Sequence, residues 1–182
     1  MTAGFHLAQL NIGRSRHALD DPRMAGFVNR LDEINALAEA RPGYVWRLQS
    51  DVGNATDIPV TDDPRVIVNL TVWESAQELF EFSYRTAHIE VFRLRRGWFE
   101  QWPGPHLVLW WIPAGSIPTV PEALARLERL AAAGPTPEAF TLKVRFPPPA
   151  PPVSRAGAHS PEMPSDRPGH QPPPSSAPPH TP

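Results

Sequence analysis

The residues best suited to chemistry stand together between Tyr84 and Phe99, in the run Tyr-Arg-Thr-Ala-His-Ile-Glu-Val-Phe-Arg-Leu-Arg-Arg-Gly-Trp-Phe. This run carries His88, the arginines Arg85, Arg93, Arg95 and Arg96, the rings Tyr84, Phe92, Trp98 and Phe99, and no proline. Such a mixture suits one wall of a small-molecule pocket: rings supply apolar area while His and Arg fix a polar or anionic group. A neutral imidazole at His88 can act as base, acid or metal ligand near neutral pH. The competing reading is a capping or core histidine bonded to backbone. Arg85, Arg95 and Arg96 can pair with a carboxylate or enolate, or they can cap a helix end ahead of Gly97. A metal centre has little support. His88 and Glu90 would point about 200° apart on a helix, and no other His or Cys stands at ligand spacing.

The elements that must hold these residues follow from periodicity. Phe5 to Ile12 reads as a first strand, with Gln9 and Asn11 on the side of Phe5 and Leu7. Asp21-Pro22 opens a helix, an N-cap acid followed by proline. Met24, Phe27, Val28, Leu31, Ile34 and Leu37 or Ala38 recur along it until Arg41-Pro42-Gly43 ends it. Tyr44 to Gln49 is a second strand, expected to put Tyr44, Trp46 and Leu48 on one face and Val45, Arg47 and Gln49 on the other. Residues 50 to 64 are rich in Asp, Gly, Asn and Pro and predict a long exposed loop, a candidate lid.

Val66 to Trp73 is the strongest strand. One face holds Val66, Val68, Leu70 and Val72, and the other holds Ile67, Asn69, Thr71 and Trp73. The second set is mixed, as expected where a sheet face lines a site; a core face that tolerates one Asn fits as well. Ser75-Ala76-Gln77-Glu78 is a capping box, so a helix follows to about Tyr84 or Arg85. Thr86 can cap a further turn carrying His88. His106 to Ile112 is another strand, with Trp110 and Trp111 on opposite faces. Thr119-Val120-Pro121-Glu122 opens a last helix with Leu124, Leu127 and Leu130 or Ala131 inward and Gly134 beyond its end. Phe140 to Phe146 is expected to form a terminal strand.

The order β-α-β-β-α-β is the split βαβ, ferredoxin-like pattern of the α+β class, here with an added helix and strand. It predicts one antiparallel sheet with both main helices on one face and the other face uncovered. Trp46, Trp110 and Trp111 make a purely solvated second face costly, so a homodimer closed through sheet faces is expected. Trp73 and Trp98 are the tryptophans expected nearest a cavity.

Composition narrows the function classes. Residues 1 to 146 form one domain, and residues 147 to 182 hold 14 prolines with no aromatic, Leu or Ile. That segment cannot bury enough apolar surface to offset its ordering entropy, and reads as a disordered Pro-rich tail. Net charge is −2 with signs interspersed, so no basic face points to nucleic acid. Cysteine is absent, which excludes disulfides and thiolate chemistry. With no signal-like start and no membrane-length apolar run, a cytoplasmic protein is expected. Phosphate loops, nucleophile elbows and paired-carboxylate signatures are missing as well.

Several blocks resemble the domain of unknown function 3291 family. They are Phe5-His6-Leu7-Ala8-Gln9-Leu10-Asn11, the Val-Asn-Leu-Thr-Val-Trp-Glu-Ser run from Val68 to Ser75, His88 with Arg95-Arg96-Gly97-Trp98-Phe99, Leu109-Trp110-Trp111-Ile112-Pro113-Ala114-Gly115 and Gly134-Pro135-Thr136-Pro137-Glu138-Ala139-Phe140. The resemblance implies a dimeric α/β barrel, a group whose relatives include antibiotic-biosynthesis monooxygenases. It further implies a cofactor-independent, monooxygenase-like enzyme acting on a small aromatic or polyketide-type substrate, whose carbanion reacts with O₂ directly. His88 would then be the base and Arg95 with Asn69 the enolate stabiliser; Trp73, Trp98 and Tyr84 would complete the substrate pocket. A haem-binding barrel with His88 as axial ligand is a second expectation, and a non-catalytic small-molecule binding or structural dimer a third.

Overall fold

The computed structural model describes residues 4–51, 53–85 and 96–150. The chain divides into two units, Met1–Pro151 and Pro152–Pro182, and every described element belongs to the first. His88 and Arg95 lie outside the described residues, as does the Pro-rich segment from 151 onward.

Four strands form a single sheet: β1 (Phe5–Arg14), β2 (Tyr44–Arg47), β3 (Val66–Trp73) and β4 (Leu107–Pro113), in the spatial order β2-β3-β1-β4. Each neighbouring pair is antiparallel. This order, with helices between β1 and β2 and between β3 and β4, is the ferredoxin-like α+β fold. The helices are α1 (Ala25–Val28) and α2 (Leu31–Glu39), preceded by a 3₁₀ turn at Pro22–Met24, then α3 (Ala76–Arg85) and α4 (Val120–Ala133). The caps at Asp21, Ser75 and Thr119 are those read from sequence. Asp21 accepts from the Arg23 N–H, Ser75 from the Glu78 N–H and Thr119 from the Glu122 N–H. Gly134 closes α4 at φ 72°, a conformation that favours glycine.

The period-two alternation of the strands builds two separate cores. Ala8, Leu10, Ile12, Val68, Leu70, Val72, Val108 and Trp110 face one way and pack on Ala123, Leu127 and Leu130 of α4. Leu7, Trp73 and Leu109 face the other way, toward Ala38 of α2, Leu79 and Phe82 of α3, and Phe140. The first of these corrects an expectation. The sheet face opposite α2 and α3 is covered by α4 of the same chain, and Trp110 is fully buried there with its indole donating to Glu122 at 3.2 Å.

Three further expectations are corrected. The helix from Asp21 is broken between Val28 and Leu31. Gly26 and Asn29 are weak helix formers, and the break lets Phe27 lean on Trp98 and Phe99, with ring centroids at 5.8 and 5.1 Å. The terminal strand reduces to one bridge, in which Leu109 and Phe140 exchange two backbone hydrogen bonds of 2.8 Å. In β2, Tyr44 pairs with Trp73 but Trp46 with Val72, leaving Val45 as an extra residue, a β-bulge. Tyr44 therefore lies on the α2/α3 side of the sheet, and Trp46 on the α4 side with Leu48.

Candidate functional site

The sheet face toward α2 and α3 is ordered in rows by its register. The first row is Tyr44, Trp73, Leu7 and Trp111; the second is Arg47, Thr71, Gln9 and Leu109; the third is Asn69, Asn11 and Leu107. Residues directly opposite in antiparallel strands lie about 4.5–5.5 Å apart, so each row is a set of touching neighbours. The face thus grades from apolar to polar along the strands. The bulge at Val45 is what brings Arg47 onto it.

The aromatic row is packed shut. Trp73 is fully buried, stacks on Phe82 with centroids 5.3 Å apart, and meets Tyr44 edge-on at 5.6 Å. Its indole, a donor only, donates to the Thr71 hydroxyl at 3.0 Å, and that hydroxyl donates to Gln9 Oε1 at 2.9 Å. Among the described residues, the relay leaves the Gln9 amide NH₂ as its free end. Burial, and then Glu39, raise the Tyr44 phenol above its ordinary value, so it stays protonated at neutral pH.

Beyond this row the helices stand off the sheet and leave two chambers. The larger, about 600 Å³, is walled by Trp73, Leu79, Phe82, Gln9, Thr71 and His106, among others. The smaller, about 160 Å³, lies against Phe27, Leu31, Trp98 and Phe99, and is closed by Asn54, Ala55 and Thr56 of the loop after β2. Asn11, Ile34, Asn35, Arg47 and Asn69 line both, so the chambers adjoin along the third row. Asn69 is exposed although it sits in the middle of a buried strand, because it faces this space. Among the described residues, neither the Asn11 nor the Asn69 side chain makes a hydrogen bond. In a wall that mixes rings and aliphatics with polar groups such as Gln9, Asn35, Arg47 and Thr71, such amides are donors and acceptors held ready for a ligand.

The loop read as a candidate lid is tied down. Arg47 donates to the Gly53 carbonyl at 2.8 Å, Asn35 to Asn54 at 2.7 Å, and Asn54 to Asp32 at 3.2 Å. The wall at Trp98 is fixed as firmly. Arg16 N–H donates to the Trp98 carbonyl, Ser15 bridges Phe99, and Arg14 and Arg65 both bind Glu100 at 3.1 Å. Arg30 lies over the Trp98 ring at 5.9 Å, and a Cβ on Gly26 would sit 3.2 Å from it.

Of the residues singled out in the sequence, Asn69 lies in the wall of both chambers, Trp73 in the larger and Trp98 in the smaller. Tyr84 falls in the last turn of α3. The sequence reading missed Arg47, which alternation alone placed on the wrong side of Tyr44, and His106. Gln9 and Asn11 were signalled by the two polar residues on the apolar side of β1. Among the described residues, no three His, Asp or Glu come together as a metal-binding group, and no helix is long and apolar enough to cross a membrane.

A ferredoxin-like sheet with a divided cavity under its two crossover helices defines a class of small α+β protein built around a ligand-sized space. Within that class the chain belongs to the family described as Domain of unknown function (DUF3291), whose pattern matches residues 6–156. Two solved structures are similar over 64% of this chain. One, from Nitrosomonas europaea, is described as an antibiotic biosynthesis monooxygenase (15% identity, 94% of that chain covered, TM-score 0.38). The other is PA3566 from Pseudomonas aeruginosa (14% identity, 98% covered, TM-score 0.35). No curated protein matches the sequence.

Proposed function

We propose that the two chambers bind a flat, mostly apolar small molecule bearing ketone or phenol oxygens, and that the protein is a cofactor-independent, monooxygenase-like enzyme. The observation that carries the reading is the pair Asn11 and Asn69, whose side chains have no partner among the described residues and which face each other across β1 and β3 where the two chambers adjoin. Amide N–H groups preorganised in a cavity wall stabilise charge that develops on an enolate oxygen. A base, assigned here to His88, would take a proton from the activated carbon. The resulting carbanion gives electrons to O₂, and a CH₂ group becomes C=O with release of water, so one O₂ is consumed per substrate. Oxygen uptake with 1,8-dihydroxy-9-anthrone as probe tests this. The expected result is uptake well above the buffer rate with no added cofactor and in a one-to-one ratio to quinone formed. Uptake equal to buffer, with no quenching of tryptophan fluorescence by the probe, would sink the reading.

The homodimer belongs to the same proposal. Because α4 covers the second sheet face, a two-fold contact would bury the outer side of the α4 layer, not a bare sheet. Light scattering at micromolar concentration should give the mass of two chains; the mass of one would exclude it.

A further inference from the structure

We propose that Arg47 is the anion-binding residue of this cavity, and that the ligand carries a carboxylate or similar anionic oxygen where the two chambers meet. The inference rests on the cavity being a ligand site, as proposed above. It adds the charge and position of one ligand group.

Arg47 lines both chambers, which places it at their junction. Its side chain is only 12% exposed. A guanidinium has five N–H donors and cannot lose its charge in a protein. Two are taken, Nε–H by Glu39 at 2.7 Å and one on Nη1 by the Gly53 carbonyl at 2.8 Å. Among the described residues the other three have no partner. Donors of a half-buried cation that face a cavity are open to a ligand, and a bidentate oxyanion is the group that satisfies them best. Glu39, the more exposed partner at 45%, balances Arg47 away from the chambers. Among the described residues, no Asp or Glu lines either chamber, whereas Arg47 and Lys143 do. The cavity lining is therefore cationic and amide-bearing, which selects an anion over a cation.

The rows fix the rest of the pose. With the anionic group at Arg47, a ring body fits the larger chamber against Phe82, Leu107 and Leu142, and Asn11 and Asn69 reach its remaining oxygens. A smaller substituent then enters the chamber beside Trp98.

Paired probes of equal size test the assignment: 1-hydroxy-2-naphthoate and its uncharged amide, 1-hydroxy-2-naphthamide, titrated calorimetrically against the full chain. Wild type should bind the acid at least about tenfold more tightly than the amide, the worth of one well-made charged pair. Arg47→Lys keeps a charge but loses the planar fork, and should lose most of that preference while still binding the amide. Glu39→Gln removes the competing carboxylate and should leave acid binding equal or tighter. Equal affinity for acid and amide in wild type, or full preference in Arg47→Lys, overturns the assignment while the cavity reading stands. Acid binding weakened as much by Glu39→Gln as by Arg47→Lys makes Arg47 a strut for the loop, and also overturns it. Binding of neither probe sinks the cavity reading and this inference with it.

Discussion

Replacing Trp73 by alanine is expected to lower stability by about 3–5 kcal/mol, the range for removing a large buried ring. Trp73 is fully buried in the centre of the apolar row, stacked on Phe82 and edge-on to Tyr44. Truncation opens a void where α3 meets the sheet and removes the donor that orients Thr71 and, through it, Gln9. Trp73→Phe keeps the ring contacts but not the indole N–H, so it should cost about 1–2 kcal/mol, close to one buried hydrogen bond plus lost area. Denaturant titration of the two variants separates packing from the relay. An alanine variant within about 1 kcal/mol of wild type would show that Trp73 is not the keystone of this core.

A second large effect is expected at His88. If His88 moves the proton in the proposed reaction, His88→Gln keeps polarity and approximate size but should cost about 10²–10⁴ in turnover, with the melting temperature within a few degrees of wild type. A structural histidine gives the reverse: turnover or ligand binding survives in the folded fraction while stability falls by about 0.5–2 kcal/mol. His106 lines the larger chamber and is the control. Should His106→Gln carry the loss of turnover while His88→Gln does not, the base is His106. Haemin added to wild type and to His88→Gln reads the haem alternative in the same series, because an axial histidine gives a Soret band that the variant lacks.

Much of this architecture was legible in the sequence because its signals are local. The alternation from Val66 to Trp73, the caps at Asp21, Ser75 and Thr119, and the stop at Gly134 each involve a few adjacent residues. The topology then followed from element order. The inner-face placement of Asn69, Trp73, Gln9 and Asn11 followed from alternation alone, since no bulge interrupts β1 or β3. What the sequence did not disclose depends on contacts between distant segments. The bulge at Val45 inverts one strand's facing by a single residue, which hid Arg47. The covering of the second sheet face depends on α4 folding back across β1 and β4, which its amphipathic stripe permits but does not direct. The terminal segment carries Phe140 and Phe146 at strand-like spacing, yet Phe140 N–H and C=O find partners only on Leu109, and the ladder goes no further.

The bulge at Val45 also bears on how this sheet avoids polymerising. β2 is an outer strand, and its free backbone groups would otherwise template a strand from another molecule. An extra residue in the middle of a four-residue strand breaks the regular spacing of those groups. At the opposite edge, the two backbone bonds from Phe140 occupy Leu109 on β4, inside the apolar, β-prone run Leu107-Val108-Leu109-Trp110-Trp111-Ile112. Both flanks of the sheet are thus spoiled as docking rails, one by a kink and one by a stopper. The kink that turns a cation toward the cavity also keeps β2 from being an extendable edge, so straightening β2 would carry a solubility penalty as well as the loss of Arg47 from the chamber wall.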